Sequence, residues 1–268
     1  MSDDQTSSPS AGSTPPGATP PPPPPPNLAP PPGYAAYNQA PTQRGVNRIG
    51  GLAKAIVIVT AIVAVATLAS AALSAGVTGD ARDFLAGEIS EDDFESAIAP
   101  VNGVQLLVGV ATLATGVLTI IWTYRTANNV RAFGRATTWS PLFAIFGWFL
   151  PPMVLYVIPF LVLRELWKAS TPEHVDGSDR WKQEPDNKLL WVWFLLFGLI
   201  PTALLAVQIG SFASAGLPSG DLESFAETLE DFAALSWITA IVNVLAAIAW
   251  IVFVRQLTAR HTRLTGEQ

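Results

Sequence analysis

The sequence predicts an all-α polytopic membrane protein with four transmembrane helices around a central hairpin that is broken by proline. Three observations lead to this fold class. Half of the residues are hydrophobic and only 13% are charged. Several apolar runs reach the length of about 20 residues that a helix needs to cross a bilayer. Basic and acidic clusters alternate between successive apolar runs, as they do when loops lie on opposite sides of a membrane.

The first predicted region is a disordered cytoplasmic tail over residues 1–46. It consists mainly of proline, serine, threonine, alanine and glycine, and such a composition cannot bury a core. Its proline run favours polyproline II structure, which partner proteins bind in aromatic-lined grooves. Pro31, Pro32, Gly33 and Tyr34 form a candidate docking motif for a protein partner, and a solvated spacer is the alternative interpretation.

A membrane domain is predicted over residues 47–260, followed by a short C-terminal tail at 261–268. Its four spans are expected at about 53–76, 101–124, 189–210 and 232–254. On the first span, Ala66, Ser70 and Ser74 recur every four residues, which is typical of a face on which another helix packs closely.

Each of the two acidic loops predicts a short amphipathic helix. In the first loop, Ser90 and Asp93 have the spacing of a capping box. In the second, Leu222, Phe225 and Leu229 repeat at helical spacing. The acidic residues do not have the spacing of an EF-hand calcium loop, so a solvated acidic face is favoured over a calcium site.

The central hairpin is expected at residues 139–166. Pro151 and Pro152 lie near its middle, where each removes a backbone donor and breaks a helix. Two full crossings need about 40 residues, so the segment is too short for them. We therefore expect a re-entrant or interfacial helical hairpin, although length alone also permits one tilted crossing.

The distribution of lysine and arginine favours a hairpin that does not cross the membrane over a single tilted crossing. If the hairpin returns to the side from which it started, every lysine and arginine except Arg82 lies on one face of the membrane. Short loops follow the positive-inside rule strongly. The sequence therefore predicts a multi-pass protein of the cell membrane with both termini in the cytoplasm.

Five basic residues near the ends of the apolar runs are candidate contacts for anionic lipid headgroups. An equally open interpretation is that these charges only fix the topology. They are Arg125, Arg131, Arg135, Arg164 and Lys168. His261 lies among the arginines of the C-terminus and is expected to be a surface residue.

Three stretches occur in order: IIWTYRTANNVRAFG, WSPLFAIFGWFLPPMVLYVIPFLVLRELWKAS, and the WVW at 191–193. Together they resemble the actinobacterial membrane proteins grouped as domain of unknown function family 4328, many of which have a proline-rich tail. The resemblance is carried by Tyr124, Arg125, Asn128, Asn129, Ser140, Pro141, Gly147, Trp148, Phe149, Pro151, Arg164, Glu165, Trp167, Lys168, Ala169 and Ser170. It implies a helical membrane domain from about Ala53 onward and no established activity. The chain departs from the family at 155–158, where the family often has polar residues before the proline that matches Pro159.

No enzymatic activity is expected. The chain has no cysteine and two histidines, and no span contains a carboxylate pair, a histidine cluster or a nucleophile with its base. We therefore expect no catalytic, metal or cofactor site. The expected partners are the lipid bilayer, anionic lipids and a protein that binds the tail, with no nucleic acid among them.

Two functions remain. The composition favours a membrane scaffold or partner-binding protein that uses its proline-rich tail. The alternative is a small-solute transporter or channel component built around the broken hairpin, which would need polar groups near the midplane. Asn243 is the strongly polar side chain deepest in a predicted span, while Gln105 and Gln208 lie near outer ends.

Overall fold

The computed structural model of the chain describes residues 45–149, 156–174, 179–200, 222–231 and 233–267. Within these ranges every regular element is a helix, and all of the ranges belong to one compact unit. Three helices are long and apolar enough to cross a membrane. They are α1 (Gly50–Leu85), α2 (Glu91–Ala132) and α7 (Ala233–Thr265). The predicted all-helical class is confirmed for the described ranges, and the long apolar helices fit a membrane protein.

Shorter elements lie between α2 and α7. These are α3 (Phe143–Phe146) with a 3-10 turn at Gly147–Phe149, α4 (Val157–Ala169), a 3-10 turn at Asp179–Gln183, α5 (Lys188–Trp193) continuing as a π-helix at Phe194–Leu199, and α6 (Leu222–Asp231). The span predicted at 189–210 is described only as far as Ile200. Pro151 and Pro152, where the hairpin is expected to break, lie outside the described residues. So do Pro31, Pro32, Gly33 and Tyr34 of the tail.

The three long helices extend past the predicted spans. At 1.5 Å per residue, the 36 residues of α1 cover about 54 Å and the 42 residues of α2 about 63 Å. A bilayer has a hydrocarbon core of about 30 Å. The helices therefore project beyond a bilayer core. We call the end at which α1 begins and α2 and α7 finish the basic end, after Arg48, Arg125 and Arg260. The opposite end is the acidic end, after Asp83 and Asp93.

Much of the apolar surface of the long helices is not covered by protein. The exposed fractions of Val65, Leu106 and Leu113 are 68%, 71% and 73%. In the most apolar window of α2, only 11% of the residues are buried. Such continuous apolar exposure is unfavourable in water and matches contact with lipid chains.

At the acidic end, one prediction from the sequence is wrong. The capping box is present, because the Ser90 hydroxyl accepts from Asp93 N at 3.3 Å and the Asp93 carboxylate accepts from Ser90 N at 3.4 Å. The amphipathic segment that follows is not a separate short helix, however. It forms the first turns of α2, which continues through Pro100. Ile98 and Val101, on either side of the proline, are both buried, so the helix packs against protein where the proline removes a backbone donor.

The second predicted amphipathic helix is present as α6, and it packs mainly against α1. Ala226 of α6 is buried in the same cluster as Ala81 of α1 and Phe94 of α2. Phe84 and Phe94 stack with their ring centroids 4.8 Å apart. The two acidic segments, distant in sequence, therefore share one apolar core at the acidic end.

A second apolar core lies toward the basic end and is rich in tryptophan. Trp122 of α2 packs edge-on against Trp250 of α7, and Trp193 of α5 lies 4.9 Å from Trp250 between ring centroids. The Trp122 indole donates to Thr258 Oγ1 at 3.2 Å, which satisfies its buried N–H. Leu163 brings α4 into the same cluster.

The segment 139–166 leaves and returns at the basic end. The Glu165 carboxylate accepts from Thr138 N at 2.6 Å and from Trp139 N at 3.1 Å, so the start and the end of the segment are neighbours. Farther along, Gly147 faces Ile158 so closely that a Cβ on the glycine would lie 2.9 Å from Ile158 Cγ2. The two described arms therefore pack against each other.

This close approach predicts that Gly147→Ala destabilises the protein. The Ile158 Cγ2 is a branch on Cβ and cannot rotate away freely, so the free energy of unfolding should fall by about 1–3 kcal/mol. Gly116→Ala in α2 is the matched control, since nothing lies within 4 Å of its Cβ position. The control should be neutral or stabilise by up to about 1 kcal/mol. Reversible unfolding in mixed micelles measures both variants, and equal effects would contradict the close packing.

Candidate functional site

The basic end contains a hydrogen-bonded network centred on Asn129, whose side chain is 0% exposed. Its Oδ1 accepts from the backbone N–H of Asn47 at 2.7 Å, and its Nδ2 donates to the Asn47 carbonyl at 2.8 Å. The same nitrogen lies 3.1 Å from Nε2 of His261. One carboxamide on α2 therefore holds the chain that precedes α1 and a side chain of α7.

The hydrogen bonds of Asn129 also assign the proton of His261. Because the amide oxygen faces an N–H, the amide nitrogen must face His261, so Nε2 is the acceptor. The proton then lies on Nδ1, which donates to Ser170 Oγ at 3.0 Å. His261 is 0% exposed. The expectation that it is a surface residue is wrong, because Asn129 and Ser170 provide partners for both of its ring nitrogens.

Arg135 lies inside the protein rather than at its surface. Its side chain is buried, with 4% exposure. Nη1 donates to the Ala169 carbonyl, and Nη2 donates to the carbonyls of Thr171 and His174 at 2.6 and 2.8 Å. These carbonyls belong to the last residue of α4 and to the chain just after it, where a cation also complements the helix dipole. Arg135 therefore caps α4, and its guanidinium is not available to a lipid headgroup.

Arg164 and Lys168 of α4 share one carboxylate. Asp186 lies 2.8 Å from Arg164 Nε and 3.1 Å from Lys168 Nζ. The guanidinium of Arg164, which donates to Asp186, holds the pKa of that carboxyl below its usual value, and Lys168 adds to the effect while partial burial opposes it. The loop that follows α4 is therefore fastened to the helix by an ion network.

A second carboxylate connects this loop to α7. Glu184 pairs with Arg260 at 2.7 Å and lies 3.3 Å from Nε2 of His174. The Arg260 guanidinium also lies over the Trp167 ring, 4.7 Å from its centroid. A cation held between a carboxylate and an aromatic face loses most of its freedom to contact other molecules.

Arg125 and Arg131 remain closer to the surface. Arg125 Nη1 donates to the Arg48 carbonyl at 3.2 Å, beside the chain that precedes α1. Arg131 is exposed, and its Nε donates to Thr137 Oγ1 at 3.2 Å. Of the five candidate headgroup residues, Arg131 is the most open to solvent.

The C-terminus adds a contact that the sequence analysis missed. The Glu267 carboxylate accepts from Ile49 N at 3.0 Å and from Gly50 N at 3.1 Å. The first N–H groups of a helix have no partners within the helix, and a carboxylate there also complements the dipole. A residue at the end of the chain therefore caps α1, and no local sequence signal predicts this pairing.

A cavity of about 230 Å³ opens on α4 and the loop that follows it. Its charged lining consists of Arg164, Lys168 and Lys182 with Glu165, and its aromatic lining includes Trp139 and Trp181. Within the described ranges, no group of three or more histidine, aspartate or glutamate residues could hold a metal ion. The cavity therefore combines an excess of cations with aromatic walls.

The comparison with family models gives one result. The family described as Domain of unknown function (DUF4328) matches residues 86–259, which is more than half of the chain. The chain belongs to this family. No curated protein and no solved structure matches the chain.

The DUF4328 region contains most of the network. Asn129, Glu165 and Ser170 are among the residues on which the resemblance rests, and each makes a contact between segments at the basic end. Asn47 and His261, the partners of Asn129 and Ser170, lie outside the matched residues, on either side of them. The DUF4328 region thus provides a surface on which the two flanking segments of the chain are fastened.

The ion network predicts a specific response to acid. Because the pKa of Asp186 is lower in the folded protein than its unfolded value of about 3.9, its stabilisation is complete above that pH and is lost as the pH falls through the folded pKa. From about pH 4 downward, the midpoint of thermal unfolding should therefore fall more steeply for the native protein than for Asp186→Asn.

Asp179→Asn is the matched control, because Asp179 pairs with Lys182 at a site where its side chain is 70% exposed. Exposed pairs contribute only about 0–1 kcal/mol, so this variant should keep the acid slope of the native protein. An identical slope for Asp186→Asn and the native protein would contradict the role of Asp186.

Proposed function

We propose that the protein is a membrane scaffold that presents its proline-rich N-terminal tail to a protein partner. The observation that carries the proposal is the fixation of the chain just after the tail. Both backbone groups of Asn47 are bonded to Asn129, and the next amides, of Ile49 and Gly50, are bonded to Glu267. A tail that leaves from a fixed point explores a restricted volume, which raises its effective concentration for partners in the same membrane.

The proposed orientation places the basic end in the cytoplasm at the cell membrane, so that both termini are cytoplasmic. The described lysines and arginines lie at the basic end except Arg82, and this asymmetry supports the orientation. The proposed topology has four spans, with the third at 189–210, and a re-entrant or interfacial hairpin at 139–166. Both ends of that hairpin lie at the basic end, which is compatible with a segment that does not cross.

Anionic lipids are the proposed ligands of the basic end. The cavity lined by Arg164, Lys168 and Lys182 has the charge and the size of a site for a headgroup phosphate. The exposed Arg131 would add to the attraction for an anionic surface. Asp186 neutralises part of the charge of Arg164 and Lys168, so electrostatic attraction here is weaker than a count of basic residues indicates.

A transporter or channel component is the alternative function. It depends on a break at Pro151 and Pro152, which lie outside the described residues. No enzymatic activity is proposed for the family member described here. The scaffold and the conduit differ in which part of the chain acts, the tail in one case and the membrane domain in the other.

This difference defines the experiment. Deletion of residues 1–43 should leave membrane insertion intact, because Arg44, Arg48 and Lys54 still provide the cytoplasmic charge that orients α1. Cross-linking in native membranes followed by purification should lose any partner that the full chain retains. An epitope tag on the full-length tail should be accessible in inverted vesicles and protected in right-side-out vesicles.

Substitutions within the tail sharpen the test. Replacing Pro31, Pro32 and Tyr34 by alanine should reduce partner recovery, whereas Ser7→Ala with Ser8→Ala should not. A truncated protein that keeps its partners would contradict the scaffold. Solute uptake by the truncated protein in liposomes would favour the conduit instead.

A further inference from the structure

A polar cavity of about 340 Å³ separates the two apolar cores. It is partly open and lies between α1, α2 and α7, the three helices of the described ranges that are long enough to cross a membrane. Hydroxyl and carboxamide groups from all three helices line it. The main ones are those of Thr67, Ser70, Ser74, Gln105, Thr239 and Asn243.

The cavity lies at membrane depth. On α1, Thr67 is about 26 Å from Gly50 and about 27 Å from Leu85, at 1.5 Å per residue, so it is near the middle of the helix. On α7, Asn243 lies about 15 Å from the start of the helix. The polar groups therefore lie inside the stretch that a hydrocarbon core of about 30 Å would surround.

Most of the lining groups lack partners. The Thr67 hydroxyl donates to the Val63 carbonyl at 2.8 Å, in the usual manner of a threonine in a helix. In the described part of the chain no hydrogen bond is found for the side chains of Ser70, Ser74, Gln105, Thr239 and Asn243, of which Gln105 is exposed and the other four are half-buried. Polar groups left unpaired in an apolar environment are costly, and the cost is greatest where water is scarce.

One further hydroxyl extends this polar face toward the basic end. Thr60 lies two turns before Thr67 on α1 and is only 6% exposed. In the described structure its Oγ1 has no hydrogen-bond partner, so it differs from Thr67 although both are threonines in one helix. Of the packing face predicted at Ala66, Ser70 and Ser74, Ala66 is buried against protein, whereas the two serines line the cavity.

The chemistry of the lining selects the ligand. None of the residues that line the cavity is charged, so an ion or a charged solute would be left without a counter-charge in a poor solvent. Serine, threonine, asparagine and glutamine can both donate and accept hydrogen bonds. They therefore match a group that also does both, such as an alcohol.

The surroundings indicate where such a group comes from. Leu68, Leu106 and Ile241 are next to lining residues or one helical turn from them, and all three are exposed. An apolar chain attached to the bound group would lie against this surface. At about 340 Å³, the cavity is also within the range of about 300–1,000 Å³ that small-molecule sites occupy.

We propose that the cavity binds an uncharged, hydroxyl-bearing group, supplied either by the head of a neutral lipid or by a free polyol. Its hydroxyls replace the missing partners of Ser70, Ser74 and Asn243. The site is independent of the tail and of the basic end, so it goes beyond the scaffold function and does not depend on it.

The absence of native cysteine permits a direct test. Ser70→Cys places a single thiol in the cavity of the full-length protein, which is reconstituted in phosphatidylcholine liposomes. The rate of labelling by N-ethylmaleimide is measured alone, with dioleoylglycerol in the bilayer, and with glycerol in the buffer. Thr112→Cys, at an exposed position of α2 outside the cavity, is the matched control.

We expect dioleoylglycerol, glycerol or both to slow labelling of Ser70→Cys by about tenfold at saturation, since an occupied site is protected in proportion to its occupancy. Protection by the lipid alone identifies a lipid head as the ligand, and protection by glycerol identifies a free polyol. Labelling at Thr112→Cys should not change. Asn243→Leu added to Ser70→Cys should abolish the protection.

Three outcomes would overturn the proposal. The first is a labelling rate that neither dioleoylglycerol nor glycerol changes, because the cavity would then contain only water. The second is equal slowing at Ser70→Cys and Thr112→Cys, which reports a change in the bilayer. The third is full protection in a folded variant that carries Asn243→Leu, because binding would then not depend on the polar lining.

Discussion

The carboxamide of Asn129 is the contact on which the basic end depends. It bonds both backbone groups of Asn47 and determines which nitrogen of His261 carries the proton. His261 in turn orients Ser170 at the end of α4, whose last carbonyls are capped by Arg135. Because these groups are buried, removal of the carboxamide would leave several donors and acceptors unpaired at once, at about 1–3 kcal/mol each.

From the basic end to the acidic end, the molecule is arranged in layers of different chemistry. The tryptophan-rich core follows the ion network, then the uncharged polar cavity, then the core that α6 completes at the acidic end. The charged groups that could bind anions and the uncharged groups that could bind alcohols are thus in different layers. The proposed scaffold function and the proposed ligand site between the long helices therefore depend on different residues.

The features that the sequence predicted correctly depend on neighbouring residues. The capping box needs only Ser90 and Asp93, and α6 needs only its own apolar repeat. The missed features depend on distant partners. Arg131 and Arg135 look alike in sequence, yet only Arg135 donates to the carbonyls beyond α4, while Glu267 reaches an amide 218 residues away. Likewise Ser70, Gln105 and Asn243 are single polar residues in separate predicted spans until packing brings them to one cavity.

Hydrogen–deuterium exchange of the amides at residues 45–52 tests the fixation of the chain before α1 most directly. In the native protein, in lipid nanodiscs, the Asn47 amide should exchange slowly, because its N–H is bonded to Asn129. Asn129→Ala should speed this exchange and also that of the peptide that contains His261, whereas Asn128→Ala, at the neighbouring position, should leave both unchanged. Exchange of Asn47 at the rate of an unstructured chain in the native protein, or rates that Asn129→Ala does not alter, would contradict the account.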